Sequence, residues 1–168
     1  MDARGASVLL RTSGFTIIEL MITIVILAVL SSIAAPAFRE MMVASRVRSA
    51  ASDLYETVLL ARSEAIKRNA AIDIVPSGGN WAGGWTVQVT SDGTVLSTHE
   101  ALDAVTVTAN SSGNLSFRLD GRVSTNVRQM VLYTGEYATI QARCVYIDAA
   151  GRPSVRTDKD GNAANGCV

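Results

Sequence analysis

Early in the chain the polar positions all but disappear. Between Phe15 and Phe38 the only ionisable side chain is Glu19, and about 20 consecutive apolar residues suffice to cross a bilayer as a helix. Further on, Val47, Ala51, Leu54, Val58, Ala61 and Ala65 recur at spacings of four and three. That period draws one apolar stripe down a helix running to about residue 68. Arg46, Arg48, Asp53, Glu56, Arg62, Glu64 and Lys67 fill its other faces, as expected of a solvated or subunit-contacting surface. A single helix over residues 15–68 would hold about 54 residues and reach roughly 80 Å. This is too long for the core of a small domain, so half of it should protrude. Pro36 removes one helical hydrogen bond and crowds the preceding turn, which predicts a kink or a loosening there.

After Asn69 the pattern changes to short alternating or apolar runs of β type. Strands are expected over 72–75, 85–90, 94–98, 104–108, 115–119, 127–133 and 139–147. Ser91-Asp92-Gly93 and Asp120-Gly121 carry turn chemistry between them. The glycine-rich stretch 78–84 is expected to be a surface loop, with Trp85 entering the core; no Lys-Ser/Thr follows and no helix begins there, so it is not a nucleotide-binding loop. The class is α+β: a long N-terminal helix, membrane-spanning and then amphipathic, followed by a small β domain.

The chain has 168 residues with 15 basic and 15 acidic side chains, a formal net charge of zero. This leaves room for one modest globular domain and argues against a surface that attracts nucleic acid as a whole. A secretory signal peptide would end in a small-residue cleavage site after its apolar core; here the small residue, Gly14, precedes it. The apolar run is therefore expected to remain in the mature protein. A carboxylate inside a membrane helix costs at least about 2.5 kcal/mol. Glu19 thus reads as a group awaiting a partner, the alternative being a side chain that reaches back to the headgroups. Arg4 and Arg11 before the run are balanced by Arg39, Arg46 and Arg48 after it, so basic residues alone do not orient the segment.

Gly14-Phe15-Thr16-Ile17-Ile18-Glu19-Leu20, followed by an unbroken apolar helix, resembles the class III signal of type IV pilins and type II secretion pseudopilins. The resemblance implies that a prepilin peptidase cuts between Gly14 and Phe15 and methylates the new N-terminal Phe15. It also implies that Glu19 pairs with the N-terminal amine of a neighbouring subunit during assembly, which satisfies two opposite charges where neither is stable alone. For Pro36 it implies a helix that bends or melts locally when packed in a filament. Residues 61–69, Ala-Arg-Ser-Glu-Ala-Ile-Lys-Arg-Asn, then a strand, then Gly83-Gly84-Trp85-Thr86-Val87 resemble the GspH/FimT family of minor pilins and pseudopilins. That family implies a long helix packed on a small antiparallel β domain of two sheets. The expected organisation is a cleaved leader (1–14), a transmembrane and assembly half-helix (15–38), an amphipathic half-helix (39–69) and a β-rich periplasmic domain (70–168). The implied partners are prepilin peptidase, other minor and major pilins or pseudopilins, and the inner membrane. The implied role is a minor type IV pilin of FimT or FimU kind, with the type II secretion subunit GspH as the other option.

The C-terminal half carries two further expectations. Cys144 and Cys167 are the only cysteines. They are either two buried thiols or a bridge formed in an oxidising periplasm. Such a bridge would close a loop of about 22 residues, worth roughly 3 kcal/mol by chain entropy, and the position of Cys167 in a polar tail favours it. Residues 144–156 resemble the end of FimT-type minor pilins, where a Gly-Arg-x-Arg element implies binding of double-stranded DNA during uptake. Here Ser154 replaces the second arginine and Arg156 follows two residues later. In an extended segment Arg152 and Arg156 would share one face about 13 Å apart, with Arg122, Arg128 and Arg143 as additions and phosphates as the target. Asp148, Asp158 and Asp160 in the same tail favour a solvated charged turn instead. Residues 158–162 depart from an EF-hand loop in the glycine position and the missing late glutamate. His99, the sole histidine, lacks a ligand cluster. No catalytic residue, metal or cofactor is expected.

Overall fold

A computed structural model of the chain describes residues 14–160, 162–165 and 167. The expected leader before Gly14 and the glycine of the 158–162 turn lie outside the described residues. The fold is α+β, one long helix and two antiparallel sheets of four strands each. The chain divides into two units, Met1–Phe38 and Arg39–Val168.

Helix α1 (Ile17–Arg68) belongs to both units and begins, in the first, two residues later than the apolar pattern suggests. The reason is local. The Thr16 hydroxyl accepts the Glu19 backbone N–H at 3.2 Å, so Thr16 is the N-cap and Glu19 stands three residues on, the spacing of a capping box. Phe15 stays outside the helix. Every described residue up to Phe38 is exposed, including Phe15, Ile17, Leu27 and Ile33. Thr23 and Ser32 donate their hydroxyls to the carbonyls of Leu20 and Val29 at 2.8 and 2.7 Å, which satisfies these two donors within the helix itself. The helix runs unbroken through Pro36.

In the second unit the remainder of α1 buries Val43, Val47, Ala50, Ala51, Leu54, Val58, Ala61 and Ala65. Val43 and Ala50 widen the stripe read from periodicity. The helix stops at a Schellman turn: Asn69 takes φ of 51°, and the N–H groups of Asn69 and Ala70 reach back to the carbonyls of Ile66 and Ala65. Lys67 and Arg68 lie at the negative end of the helix dipole.

One sheet has the order β3-β2-β1-β5, with β1 (Ile72–Pro76), β2 (Trp85–Val89), β3 (Val95–His99) and β5 (Leu115–Phe117). The other has the order β4-β6-β7-β8, with β4 (Thr106–Ala109), β6 (Gln129–Tyr133), β7 (Arg143–Ile147) and β8 (Pro153–Thr157). Alternate residues from both sheets, Ile72, Ile74, Trp85, Phe117, Met130, Leu132, Val145 and Ile147 among them, meet the α1 stripe in one core. A smaller cluster of Val131, Ala142 and Cys144 lies on the other face of the second sheet, against Tyr133, Tyr146, Ala163 and Cys167.

Three expectations need correction. β4 starts at Thr106 because Ala104 has φ of 59°, which no strand accommodates. The 78–84 segment is not a simple surface loop: it forms two 3₁₀ turns (Ser77–Gly79 and Trp81–Gly83), and Trp81 is buried. The charged tail is not a turn throughout, since β8 pairs with β7 over five residues, Ile147↔Pro153 to Arg143↔Thr157. Proline is tolerated at the first position of an edge strand, where no ladder N–H is required.

Candidate functional site

The predicted residues fall into two groups, one in each unit. Gly14, Phe15, Glu19 and Pro36 belong to the first, where Glu19 is exposed and is the lone carboxylate of the apolar segment. Its backbone N–H is capped by the Thr16 hydroxyl, and no hydrogen bond or ion pair among the described residues reaches its carboxylate.

Cys144, Cys167, Arg152 and Arg156 belong to the second. Cys144 lies fully buried on β7 and is bonded to Cys167, with Cα atoms 6.1 Å apart. The tail is held further by the Tyr146 hydroxyl, which donates to the Cys167 carbonyl at 2.8 Å and accepts from the Gln129 side chain at 3.2 Å. Arg156 stands opposite Cys144 in the ladder, with its guanidinium carbon 5.0 Å from the Tyr146 ring centroid.

Arg152 does not continue that face as an extended segment would. It closes the β7–β8 turn, donating its backbone N–H and its Nε to the two oxygens of Asp148 at 2.9 and 2.8 Å. These contacts, the backbone N–H first, hold the Asp148 carboxyl below its ordinary value. Of the additional arginines, Arg143 donates to the Thr157 hydroxyl and Arg128 to the Thr125 carbonyl at 3.3 Å. Arg152, Arg156, Arg143 and Arg128 are therefore each engaged by an intramolecular partner. Asp160 is likewise held below its ordinary value, chiefly by the Asn165 amide.

A third constellation went unread in the sequence. The turn 118–122 and the turn 148–152 each place a glycine before an arginine, Gly121-Arg122 and Gly151-Arg152, and both glycines have positive φ, 74° and 76°. The turns touch: a Cβ on Gly151 would lie 2.2 Å from the Gly121 carbonyl oxygen and 3.3 Å from Arg62 Cδ, and one on Gly121 would lie 3.2 Å from Arg62 Cγ. The stem of Arg62 thus supports the junction from the helix side. The repeated Gly-Arg pair was the available signal.

A fourth group fixes sheet to helix. Trp85 donates its indole N–H to the Thr57 hydroxyl at 3.1 Å and stacks on His99 at 4.2 Å between centroids. His99 in turn reaches Asp53 at 3.3 Å. Among the described residues no group of three or more His, Cys, Asp or Glu could hold a metal ion.

Comparison with known proteins agrees with this architecture. The family described as type II transport protein GspH matches residues 50–151, and the prokaryotic N-terminal methylation motif matches residues 9–35. Two crystal forms of the type IV minor pilin FimU of Pseudomonas aeruginosa (strain PAO1) share the fold. The first has a TM-score of 0.59 at 23% identity, covering 74% of this chain and 96% of that one. The second has a TM-score of 0.57 at 24% identity, covering 72% and 99%. No curated protein matches the chain.

Proposed function

The chain belongs to the type II transport protein GspH family, and from that premise we propose that it is a structural subunit, a minor type IV pilin. In this reading residues 1–14 are a leader removed by prepilin peptidase, and Phe15 becomes the N-methylated terminus. Residues 15–38 anchor the chain once through the inner membrane and later pack in the filament. Residues 39–69 support the β domain of residues 70–168 in the periplasm.

The observation that carries the reading is the wholly exposed apolar stretch from Phe15 to Phe38 with Glu19 as its single charge. A soluble domain has no use for such a surface, and a lone carboxylate in lipid is stabilised only by a counter-charge. The amine of a neighbouring Phe15 supplies one of the right sign and depth. The bond between Cys144 and Cys167 supports placement of the domain in an oxidising compartment. Replacing Glu19 with alanine tests the mechanism: leader cleavage and membrane insertion should persist while recovery in sheared filaments falls. Normal incorporation would reject charge pairing.

The family match supports a second reading, a minor pseudopilin of a type II secretion system. A deletion strain scored for twitching, transformation and exoprotein secretion separates the two. DNA binding is the weaker option, because Arg152 is engaged by Asp148 and Arg156 lies on Tyr146. A gel shift with the domain from Arg39 onward, against Arg152→Ala with Arg156→Ala, tests it; salt-insensitive binding or an unchanged double variant rejects it.

A further inference from the structure

Arg62 has a second role available to it beyond supporting the two Gly-Arg turns. Its Nε is buried without a hydrogen-bond partner, and the guanidinium makes no ion pair among the described residues. The acids of its own helical turn and of the two turns it supports are engaged elsewhere. Asp148 holds Arg152, Glu64 holds Lys67 and Arg68, and Asp120 accepts the Arg122 backbone N–H at 3.1 Å. The two terminal Nη groups are neither buried nor paired among the described residues, so they are what an incoming carboxylate would meet, through two parallel hydrogen bonds.

The surroundings say what carries that carboxylate. Arg62 opens into a cleft of about 530 Å³ whose other walls are Leu59, Leu60, Ser63 and Ile66. Leu59, Leu60 and Ile66 are 39%, 38% and 53% exposed, so apolar surface flanks the cation. A nucleic-acid backbone offers phosphates but little that such walls would bury. An apolar protein segment bearing one acidic side chain fits both features at once.

We propose that the Arg62 cleft is a docking site for an apolar segment of an adjoining subunit, anchored by a carboxylate on Arg62. The site is distinct from Glu19 and rests on the reading of the chain as an assembly subunit. Losing one charge-assisted pair should weaken the contact by about tenfold or more.

The test uses the full chain in its own cells. A photo-crosslinking residue replaces Ser63, which is exposed on the cleft wall, and adducts from membranes and sheared filaments are identified by mass spectrometry. The expected adduct joins the residue introduced at position 63 to a subunit carrying the N-terminal methylation signal, and Arg62→Gln lowers its yield by about tenfold. Leu59→Glu, an exposed position that spares the core, should lower it equally by setting a like charge against the partner's acid. An adduct to nucleic acid, the absence of any subunit adduct, or yields unchanged in both variants overturns the proposal. Loss of the chain from filaments with the membrane adduct intact rejects the filament reading and supports docking. Normal filament recovery with unchanged adduct yields in both variants does the reverse.

Discussion

Replacing Gly151 with alanine would push a methyl group into the neighbouring turn. The new Cβ would sit 2.2 Å from the Gly121 carbonyl oxygen, 3.0 Å from Phe117 Cε1 and 3.3 Å from Arg62 Cδ. The first of these distances is not compatible with two backbones at rest, so the β7–β8 turn must lift away from its neighbour. Overpacking of this kind costs about 1–3 kcal/mol. A φ of 76° adds about 1–2 kcal/mol for any residue with a Cβ. The sum is about 2–5 kcal/mol, or a fall of roughly 8–20 °C in Tm for a domain of this size. Gly93 supplies the control: its φ is 70°, yet a Cβ there meets nothing within 4 Å, so Gly93→Ala should show only the backbone part, about 1–2 kcal/mol. Thermal unfolding followed by circular dichroism, on a chain starting at Arg39 and containing the clustered core, compares the two. Equal losses in the two variants would refute the claim that contact between the turns, rather than backbone conformation, makes Gly151 necessary.

Three other outcomes follow from the same geometry. Reductant should lower the stability of the wild-type domain by roughly 3 kcal/mol and leave a Cys144→Ser, Cys167→Ser double variant unmoved, as read by chemical unfolding with and without dithiothreitol. Leu54→Ala, at a fully buried position of α1, should cost about 2–5 kcal/mol, whereas Leu59→Ala on the exposed side should cost under about 1 kcal/mol in the same assay. The carboxyl of Asp148 is held low in the folded state, so its contribution is complete above the unfolded value, about pH 4, and is lost as pH falls through the lower folded value. Amide exchange in the β7–β8 turn should therefore rise in acid, and Asp148→Asn should abolish that step.

The helix was legible because its evidence is periodic. Val47 through Ala65 repeat at fours and threes whatever they pack on, and the exposed run before them is defined by composition alone. The inner strands were legible for the same reason, Ile72, Ile74, Trp85 and Val87 being apolar at every second position. β8 was not, because an edge strand that buries little offers no alternation to read, and Pro153, Ser154, Arg156 and Thr157 look like tail. Thr16 was read as part of the apolar run, yet its hydroxyl sets the first turn. The Arg62 junction was out of reach for another reason. It depends on two turns about thirty residues apart meeting over a helix side chain, a long-range fact that no local pattern encodes. Only the recurrence of glycine before arginine hinted that the turns were of one kind. Likewise Arg152 and Arg156 looked like a pair on one face until the hairpin assigned Arg152 to Asp148.

The stack of Trp85 on His99 makes the domain its own optical gauge. The indole is clamped between a residue of α1 and an imidazole at the end of β3, so any slackening of helix against sheet alters the light that Trp85 emits. With Trp81, whose ring centroid lies 6.4 Å from that of Trp85, replaced by phenylalanine, an experimenter following intrinsic emission during insertion, assembly or acid exposure would be watching that seam without adding a dye.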